Sequence, residues 1–139
     1  MENEITVINN AQQFQKAMED GVEAALTAIG EQAVSYAKNI ITKEGRRDTG
    51  DMINATDYDV RLKENAVYIG NSVKYSIYNE YGTGKPAGGR SGGWYYRDDA
   101  GNWHYTEGMK GIHFIRDSVK DHISQYENIA RDEIKKHLP

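Results

Sequence analysis

Phe14, Met18, Val22, Ala25, Leu26, Ile29, Ala33, Tyr36, Ala37, Ile40 and Ile41 recur at three- and four-residue intervals, which places them on one face of an α-helix. The run predicts a single long amphipathic helix ending near Lys43. Asn10 followed three residues later by Gln13 fits a capping box at its start, each side chain reaching the other's backbone N–H. Gly21 and Gly30 lie inside the run, each at a cost of about 1 kcal/mol relative to alanine. They mark either a bend, a close approach to a neighbour, or plain tolerance.

The polar segment Glu44 to Gly50 breaks the helix, and Met52, Tyr58, Val60 and Leu62 then share one face of a period-two pattern, which predicts a strand. Lys63-Glu64-Asn65 turns the chain into Val67-Tyr68-Ile69-Gly70, an antiparallel partner rich in β-branched and aromatic residues. Val73, Ile77, Tyr78 and Tyr81 predict a short helix stopped at Gly82. Farther on, Trp94-Tyr95-Tyr96-Arg97 and Asn102-Trp103-His104-Tyr105-Thr106 flank the turn residues Asp98-Asp99-Ala100-Gly101, the signature of a hairpin. A final helix carries Ile115, Val119, Ile123, Tyr126, Ile129, Ala130, Ile134 and Leu138 at helical spacing.

These elements predict an α+β fold in which two long helices pack on a small antiparallel sheet, with a short helix, a Gly-rich loop and an aromatic β-hairpin. The expected organisation is one domain over residues 1–139, with an N-terminal tail at 1–9, a flexible loop at 82–93 and a hairpin arm at 94–106. The loop is expected to be flexible because Gly82 to Gly93 holds no bulky apolar residue to anchor it.

Charge narrows the function. The net charge of −4 and the pI near 5.6 argue against a surface made to hold phosphate backbone, which needs a clustered basic face. Lys85, Arg90 and Arg97 form only a sparse basic strip, with Lys43, Arg46 and Arg47 near the end of the first helix. With no cysteine, disulfides, thiolate zinc sites and cysteine nucleophiles are excluded. The acidic start at Met1-Glu2-Asn3-Glu4 and the lack of a long apolar run lead to the expectation of a soluble protein made inside a cell, with no membrane contact.

Little in the chain suggests catalysis. Gly82-Thr83-Gly84-Lys85 resembles part of a phosphate loop, but Asn79 stands where the first glycine belongs and Pro86 replaces the magnesium-binding hydroxyl. His104, His113, His122 and His137 lack the spacing that aims two imidazoles at one metal, so no cofactor or metal is expected. His104 is read as a surface residue of an amphipathic strand, with an acid-base couple to Asp98 or Glu107 as the rival reading. The aromatic concentration is the stronger signal: the stretch from Tyr75 to Tyr105 holds six of the ten tyrosines and both tryptophans. Strand alternation puts Trp94 and Tyr96 on one face and Tyr95 on the other, and sets Trp103 and Tyr105 together against His104. One set is expected to be core. The other fits a protein interface, because Trp and Tyr combine apolar area with a polar tip, or a platform for sugars or unpaired bases.

Four segments occur in a telling order: Thr49-Gly50-Asp51-Met52, Val67-Tyr68-Ile69-Gly70, Tyr75-Ser76-Ile77-Tyr78-Asn79-Glu80-Tyr81-Gly82-Thr83-Gly84, and Gly111-Ile112-His113-Phe114-Ile115-Arg116. In order and spacing, from about Thr49 to Ser118, the chain resembles the gene-product-ten-like tail-component proteins of long-tailed phages. Many members have proline where this chain has His113.

The resemblance implies a non-enzymatic tail completion or neck protein that joins a DNA-filled head to a tail in the virion. Its partners would be further copies of itself in a hexameric or dodecameric ring, other neck and tail proteins, and genomic DNA passing through the channel without specific binding. Assembly would begin in the host cytoplasm. Tyr78, Glu80, Tyr81, Gly82, Thr83 and Gly84 then form the family motif, continued by Phe114 and Arg116. Trp94, Tyr95, Trp103 and Tyr105 are the expected contact residues. Glu80 is expected to accept backbone N–H bonds from the glycine turn.

Overall fold

The computed structural model describes residues 9–45, 49–89, 91–98 and 100–139. All but the last residue of the expected tail, together with Arg46, Arg47, Arg90 and Asp99, lie outside the described residues. The order is α1 (Ala11–Glu44), α2 (Thr49–Ala55), β1 (Thr56–Arg61), β2 (Ala66–Asn71), α3 (Ser76–Tyr81), β3 (Gly82–Gly84), β4 (Trp94–Arg97), β5 (Trp103–Thr106), β6 (Gly108–Lys110), α4 (Phe114–Lys120) and α5 (Ile123–His137). The class is α+β, with the strands paired as three separate antiparallel ribbons: β1 with β2, β3 with β6, and β4 with β5.

Helix α1 is the spine, and it packs against α4, α5 and the β1–β2 ribbon. Its buried stripe is Gly21, Ala25, Gly30, Ala33, Ala37 and Ile41, nearly all small, so neighbouring backbones come close. Both glycines mark close packing. A Cβ on Gly21 would sit 3.1 Å from the Ile134 Cα of α5, and one on Gly30 would sit 2.6 Å from the Tyr58 ring. At the helix start the Asn10–Gln13 capping box does not form; Asn9 Oδ1 instead accepts the Ala11 N–H at 2.9 Å. The helix ends at Gly45, which has a φ of 57° in the left-handed region.

The apolar centre is Ala37, Ile41, Met52, Ile112 and Phe114. Met52 corrects the expected strand: it sits on α2, fully buried, and the strand begins only at Thr56. A lone buried methionine satisfies either periodicity, and here the helical one seats it against Ile41. The Met52 carbonyl then accepts the Thr56 hydroxyl and the Asn71 amide, both at 2.7 Å, tying α2 to both strands of the first ribbon. Leu62, expected at the end of that strand, belongs to a 3-10 turn over Leu62–Glu64 and is exposed. Tyr58 pairs with Ile69 and Val60 with Val67, and these residues form the half-buried face of the ribbon.

The final helix divides in two. Asp121 and His122 separate α4 from α5, although neither residue is a helix breaker. Tertiary contacts account for the break: the His122 ring stacks on Tyr36 of α1 at 3.5 Å and 6°. In addition, the Tyr126 hydroxyl donates to the Ser118 carbonyl that the break exposes. Burial, with Tyr36 adding to it, pushes the Tyr126 hydroxyl pKa up to about 12. Among the described residues no helix is long and apolar enough to cross a membrane.

The fit at Gly30 is testable. Alanine there gains about 1 kcal/mol of helix propensity, but its Cβ meets the Tyr58 ring near its root, where the side chain cannot swing aside. Gly30→Ala is therefore expected to lower stability by about 1–2 kcal/mol net in urea denaturation, and a more stable variant would contradict the packing account.

Candidate subunit interface

The structure brings together the two most specific segments of the sequence. Residues Glu80 to Gly84 run antiparallel to residues 108–113: Gly82 faces Lys110, Thr83 faces Met109 and Gly84 faces Gly108. The pairing extends back into α3, where the Asn79 carbonyl accepts the Ile112 N–H at 2.8 Å and the Glu80 carbonyl accepts that of His113 at 3.1 Å. Close approach demands small residues. A Cβ on Gly82, whose φ is 80°, would lie 2.5 Å from the Met109 carbonyl, and one on Gly111 would lie 2.6 Å from the Glu80 carbonyl. The expected flexible loop is thus corrected at its start: Gly82–Gly84 is strand β3 and Lys85–Ala87 a 3-10 turn. Backbone pairing supplies the anchor that side chains lack.

Glu80 is the centre of this joint. Its carboxylate accepts the N–H of Ile115 at 2.7 Å and that of Arg116 at 3.0 Å, two of the donors that the first turn of α4 cannot satisfy internally. The expected bond to the glycine turn is not what the carboxylate makes; it caps a helix from across the joint. His113 enters α4 at a φ of 50°, a conformation closed to proline, whose ring fixes φ near −65°. A proline in place of His113 would therefore need a different backbone at the entry to α4. Phe114 is buried in the core, and the Arg116 guanidinium reaches Asp117 at 2.9 Å on the surface.

Burying Glu80 turns α3 inside out. Ser76, Asn79 and Glu80 are buried, whereas Ile77, Tyr78 and Tyr81 are 56%, 55% and 67% exposed. The helical pattern did not assign Ile77 to either side, and its exposure is a finding of the structure. The spacing leaves the side of Ile77 open, because it lies between Glu80 at i+3 and Tyr81 at i+4; the hydrogen bonds made by Glu80 settle it.

The β4–β5 hairpin forms as expected, with Tyr95 opposite Tyr105 and Arg97 opposite Trp103. Neither of its faces is core. Tyr95, Trp103 and Tyr105 are 70%, 66% and 55% exposed, and Tyr96 on the opposite face is also exposed. Trp94 is half-buried at the base; its ring would lie 3.1 Å from a Cβ on Gly84, so it packs the arm onto the β3–β6 ribbon. The Tyr95 and Tyr105 rings meet at 5.1 Å, and the Arg97 guanidinium sits 5.4 Å from the centre of the Trp103 ring. On the other face His104 Nε2 lies 2.7 Å from Asp98 Oδ2, beneath the stacked Tyr96 ring. Asp98 Oδ1 also accepts the Asn102 N–H at 2.8 Å. That carboxylate holds the turn to the strand.

Among the described residues no three His, Asp or Glu side chains are grouped to hold a metal ion. No family model, curated protein or solved structure matches the chain.

Two outcomes follow from this geometry. Glu80→Ala leaves two N–H groups without their acceptor and is expected to cost about 1–3 kcal/mol, with Glu80→Gln intermediate, as read by chemical denaturation; equal stability of all three proteins would refute the cap. The second concerns pH. The His104 bond, followed by the Asn102 N–H, holds Asp98 below the usual carboxylate range. Its contribution is therefore complete above the unfolded value of about 3.9 and is lost only as pH falls through the lower folded value. Tryptophan fluorescence of the hairpin should stay flat down to about pH 4 and change below it, and His104→Ala should move that change upward.

Proposed function

We propose that this chain is a structural subunit of the head–tail junction of a long-tailed phage, a tail completion or neck protein that acts by assembly and carries out no covalent chemistry. The observation that carries the reading is the reversed polarity of α3: a buried Glu80 holds Ile77, Tyr78 and Tyr81 in solvent. Exposed aromatic clusters on a rigid support fit a partner surface, where Tyr and Trp anchors supply most of the affinity. The resemblance of the motif segments to the tail-component family supplies the biological setting, and the two most specific segments form one joint.

A ring uses heterologous contacts, in which one patch meets a different patch on the next copy. The two apolar surfaces, on α3 and on the β4–β5 hairpin, suit that arrangement. DNA passage places the opposite demand on the channel wall, which must repel phosphate. Asp20, Glu23, Glu31 and Glu133 line a groove between α1 and α5 and provide such a surface. A second reading rests on the Arg97–Trp103 pair beside Tyr95 and Tyr105, a set that can also stack on unpaired bases or sugars.

The deciding experiment adds purified protein to DNA-packed heads and separated tails. Joined particles with a ring at the junction, seen by electron microscopy and matched by a rise in infectivity, are the expected result. Failure to join, together with oligonucleotide or glycan binding by the monomer, would establish the second reading instead.

A further inference from the structure

The β4–β5 hairpin is incomplete as a folded element. Its substantial contacts are between its own two strands, and a two-stranded ribbon with neither face covered is at best marginally stable in water. The Asp98–His104 tie and the Trp94 ring at its base hold its shape, yet three rings remain open on one face. The α3 surface in the same molecule also stays open, so neither covers the other within one copy.

We propose that the hairpin face formed by Tyr95, Arg97, Trp103 and Tyr105 docks on the α3 face formed by Ile77, Tyr78 and Tyr81 of a second copy. This rests on the ring reading above and identifies its contact. The areas match. Taking ~150–250 Å² for each aromatic side chain and the exposures given, the three hairpin rings offer roughly 350 Å². Tyr78, Tyr81 and Ile77 together offer about the same. Each is close to half of the ~800 Å² per partner in a stable interface, the share expected of an apolar centre inside a polar rim.

Charge favours this pairing over hairpin on hairpin. A two-fold contact brings two Arg97 guanidinium groups into one shared patch, whereas α3 holds two exposed tyrosines and no lysine or arginine, a surface that attracts a cation and does not repel one. Because hairpin and α3 are different patches, each copy keeps one of each free after docking. The contact propagates from copy to copy until the rotation closes it.

The absence of cysteine makes the test direct. Trp103→Cys and Tyr81→Cys are prepared as separate proteins, with Tyr105→Cys and Tyr78→Cys as a second pair, and circular dichroism checks that helix content is kept. Each is oxidised alone and in an equal mixture, both as concentrated free protein and in joined head–tail particles. For at least one pair, the mixture should give an intermolecular disulfide at least tenfold above either variant alone. Equal cross-linking of Trp103→Cys or Tyr105→Cys with itself, or no mixed product from either pair in either sample, overturns the docking. Particles that join without any mixed product overturn the docking and leave the neck function standing. A mixed product in solution with no joining of heads to tails does the reverse.

Discussion

The buried carboxylate of Glu80 is the constraint around which the second half of the molecule is arranged. Helix α4 is short, enters through a left-handed His113, and has first-turn donors that need acceptors inside the protein, where water does not supply them. Glu80 meets two of them from α3. At 3.6 residues per turn, Ser76, Asn79 and Glu80 fall within an arc of about 100°, and Ile77, Tyr78 and Tyr81 within the opposite arc of similar width. With Asn79 and Ser76 buried beside the carboxylate, all three apolar side chains are left outward. An exposed apolar surface on α3 accompanies a helix cap elsewhere.

The cap works only because two backbones can touch. The carbonyls of Asn79 and Glu80 accept the N–H groups of Ile112 and His113, and β3 continues the pairing with β6. At Gly82 and Gly111 a side chain would occupy the space of the facing backbone. Bulk at either place would push α3 away from α4 and pull the carboxylate off its donors. The glycines that look like slack in the sequence are the tightest contacts in the joint.

Much of this was legible in the chain. The long periodic run gave α1 and alternation gave both hairpins, while the register of the aromatic one, Arg97 opposite Trp103, is set one residue beyond the turn the sequence marked. What periodicity did not reveal was set by contacts distant in sequence. Met52 fits a strand or a helix equally well by pattern, and its burial against Ile41 decides. The break at Asp121–His122 has no local breaker; the Tyr36 stack and the Tyr126 hydroxyl define it. For α3 the usual rule that apolar residues face inward fails, since a charged helix cap outweighs the burial of three exposed side chains. The short helix was read from Val73, Ile77, Tyr78 and Tyr81, and what that pattern left open is that three of these four stand exposed.

The order found at the start of the glycine segment changes how association should be weighed. An unstructured Gly82–Gly93 would oppose docking by roughly 1–2 kcal/mol for each residue fixed, enough to cancel several aromatic anchors. Residues 82–87 are already held by β3, its pairing with β6 and the 3-10 turn, and the hairpin turn is held by Asp98. Those residues lose little freedom when a partner arrives. An arm with its shape set in advance turns more of its apolar area into affinity than a flexible one. In the proposed docking, the ties at Asp98, Gly82 and Glu80 therefore do what extra contact area would otherwise have to supply.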